Sequence, residues 1–418
     1  MFTLMRSPAR RLESYAAPAG AGAVARLRAL AAPLRGARVL HVSFSPFLTA
    51  MAELIGAVVP LLRDLGLEAD WQVASCPEPY MHAAHELYRG FSGRRVRWGP
   101  ALRESWRRYG EELAAAVPSG YDVVVVHEPQ PVALAARVAE RGSAGSTRWV
   151  WHTQLDLRRT QPEVWNEVRG DLDAYAAILL SSRAFAAPDL PAARVVEMPP
   201  GLDPLGTRNA PLTSSEGRQT LARHGIDTDR PLALQVGPLD AAHDPLGALR
   251  AFREAKRFCP EAQLVLIEPL GSAGGDAWAR FEQMLRRIGG DPDIHVLAGV
   301  AEVGHLALNA AQRAARVVLQ RAVPAGHPMT VLEAQWKARP VIVGPGSMRD
   351  LIVPGETGVV ADDDSQFAAA LAALLRDSAL ADRMGAAGHT LVRERFLITR
   401  WIADELRLLA QLLGASSG

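Results

Sequence analysis

The 418-residue sequence predicts two doubly wound α/β domains in tandem, each a parallel sheet covered by helices on both faces. Three observations carry that expectation. Short β-branched runs alternate with stretches of helical periodicity, the strand-like runs are apolar on both faces, and the rhythm stops near mid-chain and restarts.

In the first half, strands are expected at residues 38–44, 70–74, 122–127, 149–152, 177–181 and 194–198. Asp122-Val-Val-Val-Val-His127 is apolar at consecutive rather than alternate positions, as a strand buried on both faces must be. Between the first two strands, residues 51–65 place Leu54, Val58, Leu61, Leu62 and Leu65 at helical spacing. Residues 199–230, rich in Pro, Gly, Ser and Thr, read as an interdomain connection. Strands are then expected at 231–236, 263–267, 295–297, 316–320, 340–343 and 358–361, and helices near 366–376 and 390–413. The expected division is a domain over 1–205, a second over 206–390, and a helix over 391–418 that packs back on the first. In open α/β sheets, loops and helix N-termini converge at the carboxyl ends of the strands, so a ligand cleft is expected there.

Composition narrows the partners. With 46 basic and 45 acidic residues the net charge is +1, which favours neither nucleic acid nor an anionic membrane. The arginines at 6–11 and 94–108 are interrupted by apolar residues and read as solvated helix faces. Cys76 and Cys259 are too few for a disulfide framework, and no His/Cys/Asp/Glu cluster has metal-ligand spacing. Together with the lack of a signal-type apolar core or a run of ~20 apolar residues, this sets the expectation of a cytoplasmic protein without membrane insertion.

The most informative segment is Met329-Thr-Val-Leu-Glu-Ala-Gln-Trp-Lys-Ala-Arg-Pro-Val-Ile-Val-Gly344, which places an acidic residue at the start of a helix ahead of a buried strand. On the residues alone, Glu333 either complements the helix dipole or offers two oxygens to two vicinal hydroxyls. The segment resembles the nucleotide-sugar site of retaining GT-B glycosyltransferases. The chain from about residue 26 to 413 resembles the trehalose synthase family, the glycosyltransferring type that joins a nucleotide-activated glucose to glucose. Matching stretches include Val59-Pro-Leu-Leu-Arg-Asp-Leu-Gly-Leu-Glu68, His127-Glu-Pro-Gln-Pro131, Gly201-Leu-Asp-Pro-Leu205, Asp244-Pro-Leu-Gly247, Gly355-Glu-Thr-Gly358 and Phe396-Leu-Ile-Thr-Arg400.

That resemblance implies a GT-B fold: two Rossmann-like domains facing a central cleft. It implies a nucleotide-diphosphate sugar as co-substrate, no metal or other cofactor, and often a homodimer. Glu333 would hold the donor's ribose, with Thr330, His243, Gly346 and Ser347 also on the donor.

The resemblance breaks at the transferred sugar and the phosphates. A family Glu corresponds to Ala325, and the family's phosphate-neutralising Arg and Lys correspond to Pro238 and His243. A glycine-rich loop is replaced by Leu48-Thr49-Ala50, ahead of the retained Ala52-Glu53, and a family His corresponds to Gln154, with Asp156 kept. Arg321, in the loop after an expected strand, is the candidate replacement cation for phosphate, with Arg183, Arg349 and the backbone of residues 344–348 as other options. His127 and Asp156 are the candidate catalytic groups. Thr49, Glu53, Gln130 and Gln154 are candidates for the acceptor side, while His41 reads as a core histidine.

The expected function is transfer of a non-glucose sugar from a nucleotide-diphosphate sugar to a small-molecule acceptor, in actinobacterial specialised metabolism such as antibiotic biosynthesis. The alternative is an inactive GT-B protein that binds a ligand or partner.

Overall fold

A computed structural model describes residues 2–45, 49–143, 145–268, 277–298, 304–321, 326, 328–344 and 349–415. The chain forms two compact units: Met1–Gly201 with Ala325–His327 and Ile398–Gly418, and Leu202–Pro324 with Pro328–Leu397. Each holds one sheet.

The first unit contains β1 (Phe2–Leu4), β2 (Arg38–Ser43), β3 (Glu68–Ala74), β4 (Val123–His127), β5 (Arg148–Thr153), β6 (Ala177–Leu180) and β7 (Val195–Glu197). Their order is β1-β3-β2-β4-β5-β6-β7, with β1 antiparallel to β3 and all other pairs parallel. Val123 to Val126 are fully buried, which explains their consecutive apolar character. The strand order reverses direction between β2 and β4, where an open sheet makes its ligand crevice.

The helix Ile398–Leu413 lies in the first unit although the chain reaches it from the second. Arg400 donates to the carbonyls of Pro199 (2.6 Å) and Pro200 (2.9 Å). A Cβ on Gly201 would stand 2.8 Å from Cβ of Trp401, so only glycine permits this approach. The expected single helix over 390–413 is in fact two, Ser378–Arg395 and Ile398–Leu413, because Phe396 and Leu397 leave the helical path.

The second unit contains β8 (Leu232–Val236), β9 (Gln263–Glu268), β10 (Ile294–Ala298), β11 (Val317–Gln320), β12 (Val341–Val343) and β13 (Gly358–Val360). They are parallel in the order β10-β9-β8-β11-β12-β13, which reverses between β8 and β11. Phe252, Leu264, Leu319, Ile342 and Phe367 anchor one face of its core. The helix carrying Glu333 begins at Met329, with Pro328 as N-cap, so Glu333 sits in its second turn rather than at its start. That distance from the N-terminus removes most of the dipole argument for the residue.

Candidate functional site

The carboxyl edge of the first sheet is organised by buried histidines. His41 on β2 pairs in register with Val125 on β4, and His127 with His152 on β5. Side chains alternate faces with a period of two, so His41, His127 and His152 share one face. Nδ1 of His41 lies 3.0 Å from Nε2 of His127, and Nδ1 of His127 lies 3.0 Å from Nδ1 of His152. Glu405 lies over this row, with Oε1 3.6 Å from Nε2 of His41, and the Trp401 ring approaches His152.

Burial pushes His41 and His152 each down to about 3 and holds His127 well below its ordinary value. The same burial pushes the Glu405 carboxyl up to about 8. The row is therefore a neutral hydrogen-bonded chain inside the unit. His127, expected as a catalytic group, is 0% exposed and has no surface to offer a substrate; its place is structural.

Asp156 is the other expected catalytic group. It caps the short helix Leu157–Arg159 and takes the Arg158 guanidinium at 2.9 and 2.8 Å. The residue that gathers the loops of this edge is one the sequence reading passed over. Glu128, in the left-handed region at φ 69°, accepts the backbone N–H groups of Phe44 (2.9 Å) and Ser45 (3.0 Å). Its own N–H reaches the His152 carbonyl, and its carbonyl accepts the Trp151 indole N–H. Burial raises its carboxyl above the usual range, against the pull of those N–H donors. Three strand-end loops thus converge on Glu128. A non-glycine residue held at positive φ marks a site that the surrounding structure over-determines, and this could have been suspected only from coordinates.

Of the acceptor-side candidates, Thr49 caps the helix Ala50–Asp64 by accepting from Ala52 N–H, and Glu53 stands in that helix's first turn. Gln130 is buried: its carbonyl accepts from Trp106, and its Oε1 has no hydrogen-bond partner among the described residues. Gln154 is half-buried in the loop after β5.

In the second unit, Glu333 is 2% exposed and clamped. Nε of Arg208 lies 3.1 Å from Oε1, Nη2 donates to Oε2 at 3.4 Å, and Gln312 Nε2 donates to Oε2 at 2.8 Å. Gln312 is oriented in turn by Lys337, whose ammonium donates to Gln312 Oε1 (2.7 Å), Asn209 Oδ1 (2.8 Å) and the Glu333 carbonyl (3.4 Å). Burial pulls the Lys337 amine down to about 7, with Glu333 opposing. Because Nζ can only donate, Gln312 must turn its oxygen to Lys337 and its amide N–H to Glu333. Thr330 donates to Gln320 Oε1 at the end of β11.

Arg321, the expected phosphate cation, follows β11 directly. It is 6% exposed and bonds Asp244 at 2.8 and 2.6 Å and Asp364 at 2.6 Å, while its guanidinium lies over the Phe367 ring. Two carboxylates already neutralise it, so an incoming phosphate must compete with both. Only Nη1 has no hydrogen-bond partner among the described residues. Arg349 is likewise paired, with Asp362. His243 follows β8, with Nδ1 2.6 Å from Asp240 Oδ1. Gly346, Ser347, Ala325 and Leu48 lie outside the described residues. Among the described residues no group of three His, Cys, Asp or Glu side chains could hold a metal, and no helix is long and apolar enough to cross a membrane.

Comparison with known proteins fits this geometry. Residues 47–187 match the family model "Trehalose synthase, N-terminal domain", and 218–390 match "Glycosyl transferases group 1". Trehalose synthase from Rubrobacter xylanophilus is 32% identical over 93% of this chain and 94% of its own length. That from Pyrococcus horikoshii is 30% identical over 97% of each. Among solved structures, a UDP-forming α,α-trehalose-phosphate synthase from Burkholderia xenovorans superposes with a TM-score of 0.71 at 17% identity, covering 91% of this chain and 99% of that one. An Escherichia coli trehalose-6-phosphate structure bound with UDP-2-fluoro glucose gives 0.70 at 15% identity, over 90% and 98%.

Proposed function

Because this chain belongs to the trehalose synthase family and is a GT-B glycosyltransferase using a nucleotide sugar, we propose that it moves a sugar other than glucose to a small-molecule acceptor, in actinobacterial specialised metabolism such as antibiotic biosynthesis. The observation that carries the donor half of this reading is the clamp on Glu333. A carboxylate with one oxygen oriented by Gln312, itself fixed by Lys337, is pre-arranged to receive the two ribose hydroxyls of a nucleotide. Arg208 stands on both oxygens, so an arriving ribose has to displace it.

Departure from glucose is supported by Gln154 and Ala325, which stand where the family has a His and a Glu beside the sugar. An amide in place of an imidazole changes the pattern of donors and acceptors offered to a hydroxyl. Thr49, Glu53, Gln130 and Gln154 shape the acceptor side at the first sheet's carboxyl edge. The buried Gln130 Oε1 supplies an acceptor for a hydroxyl or amine. Catalysis then rests on positioning and on charge at the leaving phosphate rather than on a protein nucleophile.

Calorimetric titration with uridine, guanosine, adenosine and thymidine diphosphate sugars, using Glu333→Ala as control, tests this reading. One base is expected to bind, and the variant to lose at least tenfold in affinity. Binding of no nucleotide sugar, or equal binding by the variant, would overturn it. A glucose donor that outperforms all others in transfer would overturn the sugar assignment alone.

A further inference from the structure

The helices Ala21–Ala31 and Ile398–Leu413 lie side by side in the first unit. The first buries Val24, Leu27 and Ala31 at helical spacing, and the second buries Leu406, Leu409 and Ala410. Between them remains a cavity of about 510 Å³. That volume falls within the range of single-ligand sites. Leu30, Pro33, Leu406 and Ala410 give it apolar walls, and Ala29 borders it as an exposed residue.

The charged residues lining this space are Arg26 and Arg407, both positive, and no Asp or Glu stands among its lining residues. Arg407 spends Nη1 on Asp404 (2.5 Å), but Asp404 also takes Arg400 (2.7 Å), so the trio keeps a positive charge. Arg26 has no hydrogen-bond or ion-pair partner among the described residues, whereas its neighbour Arg28 is paired with Glu13. A carboxylate suits such a place, because a guanidinium can donate two parallel hydrogen bonds to its oxygens. An apolar chain gains in turn by leaving water for the apolar walls.

Size and depth select the occupant further. Counting ~30 Å³ per non-hydrogen atom, the share of one water in the liquid, the cavity holds roughly seventeen atoms. That is one aliphatic chain with its head group and not a folded partner. Leu406 is 0% and Ala410 8% exposed, so these walls are recessed. A single chain reaches them, whereas the flat face of a bilayer does not.

We propose that this cavity is a binding site for one aliphatic monocarboxylate of roughly ten carbons, with its chain between the two helices and its carboxylate on Arg26 and Arg407. The site is independent of the nucleotide-sugar reading. It also bears on the fold, because one of its walls is the helix that brings Trp401 to His152 and Arg400 to the carbonyls of Pro199 and Pro200. A ligand that binds only the folded chain stabilises that seating by mass action.

The full chain is titrated calorimetrically with hexanoate, octanoate and decanoate below their micelle-forming concentrations, and with 1-octanol as the uncharged control. Expected is one site per chain, with affinity rising roughly two- to fourfold per methylene. Octanoate should bind at least tenfold more tightly than octanol, and decanoate should raise the thermal midpoint. Arg26 and Ala29 are both exposed, so Arg26→Gln and Ala29→Phe should melt like the natural chain without ligand. Arg26→Gln should weaken octanoate severalfold and leave octanol unchanged, while Ala29→Phe should weaken both.

Absence of binding, affinity independent of chain length, equal binding of octanol and octanoate, or octanoate binding undiminished in either variant would overturn the inference. So would binding to phosphatidylglycerol vesicles that Arg26→Gln abolishes, since this face would then be a membrane surface. None of these outcomes touches the nucleotide-sugar reading.

Discussion

Arg208 and Glu333, 125 residues apart, form an ion pair in which Nε lies 3.1 Å from Oε1 and Nη2 donates to Oε2. The guanidinium therefore holds the atoms that a ribose would need. Arg208→Met keeps the aliphatic stem but removes that competitor, while Gln312 still orients Oε2. The expected result is severalfold tighter nucleotide-sugar binding by calorimetry, with a lower thermal midpoint. Weaker binding would instead make Arg208 a donor contact.

Arg321 ties three elements together: Asp244 at the start of the helix Pro245–Lys256, the end of β11, and Asp364 at the start of the helix Asp364–Arg376. Arg321→Met leaves Asp244 without its cation, while Asp364 keeps Arg250. A loss of about 1–2 kcal/mol in denaturant unfolding is expected, since the ties of a buried guanidinium to two partly exposed carboxylates are lost. Its effect on donor affinity should be smaller than that of Glu333→Ala; a larger one would return Arg321 to the phosphate.

Glu405 gives the first unit an alkaline weakness. Its carboxyl keeps its proton to about 8 in the folded chain, whereas the unfolded chain releases it near the ordinary value of 4.5. The stability it contributes is full below 4.5 and is lost as pH rises toward 8. His41 and His152, lowered to about 3, act in the opposite sense: their contribution is present above 6.5 and is lost as pH falls toward 3. Glu405→Gln should therefore raise the melting temperature relative to the natural chain by an amount that grows between about pH 5 and pH 8. A difference independent of pH would show that the carboxyl is ionised in the fold.

Glu128 holds the N–H groups of Phe44 and Ser45 through one carboxylate oxygen. Glu128→Ala should speed hydrogen exchange at those two amides and cost about 1–3 kcal/mol, the price of stranding buried donors. Unchanged exchange would mean that the loop is held by something else.

Much of the architecture was legible in the chain. The doubly apolar run at 122–127 could only be an interior parallel strand, and the restart of the rhythm after residue 230 announced a second sheet. Glu333 stood out by its context, although its helix starts four residues earlier than its pattern suggested. The site was less legible. His127 looked like a ligand group because it ends a strand, and Asp156 because the resemblance keeps it, yet the first is 0% exposed and the second bonds Arg158.

What the sequence determined by itself is the class of fold and the family, because hydrophobic periodicity and idiosyncratic loop stretches are local properties that survive in one dimension. What only the tertiary structure decided is the state of each polar group. Arg321 reads as a free cation until Asp244 and Asp364, 77 and 43 residues away, are seen to neutralise it. Glu333 reads as a free carboxylate until Arg208 and Gln312 are seen to hold it. Charge and protonation depend on what stands within a few ångströms, and folding alone chooses those neighbours.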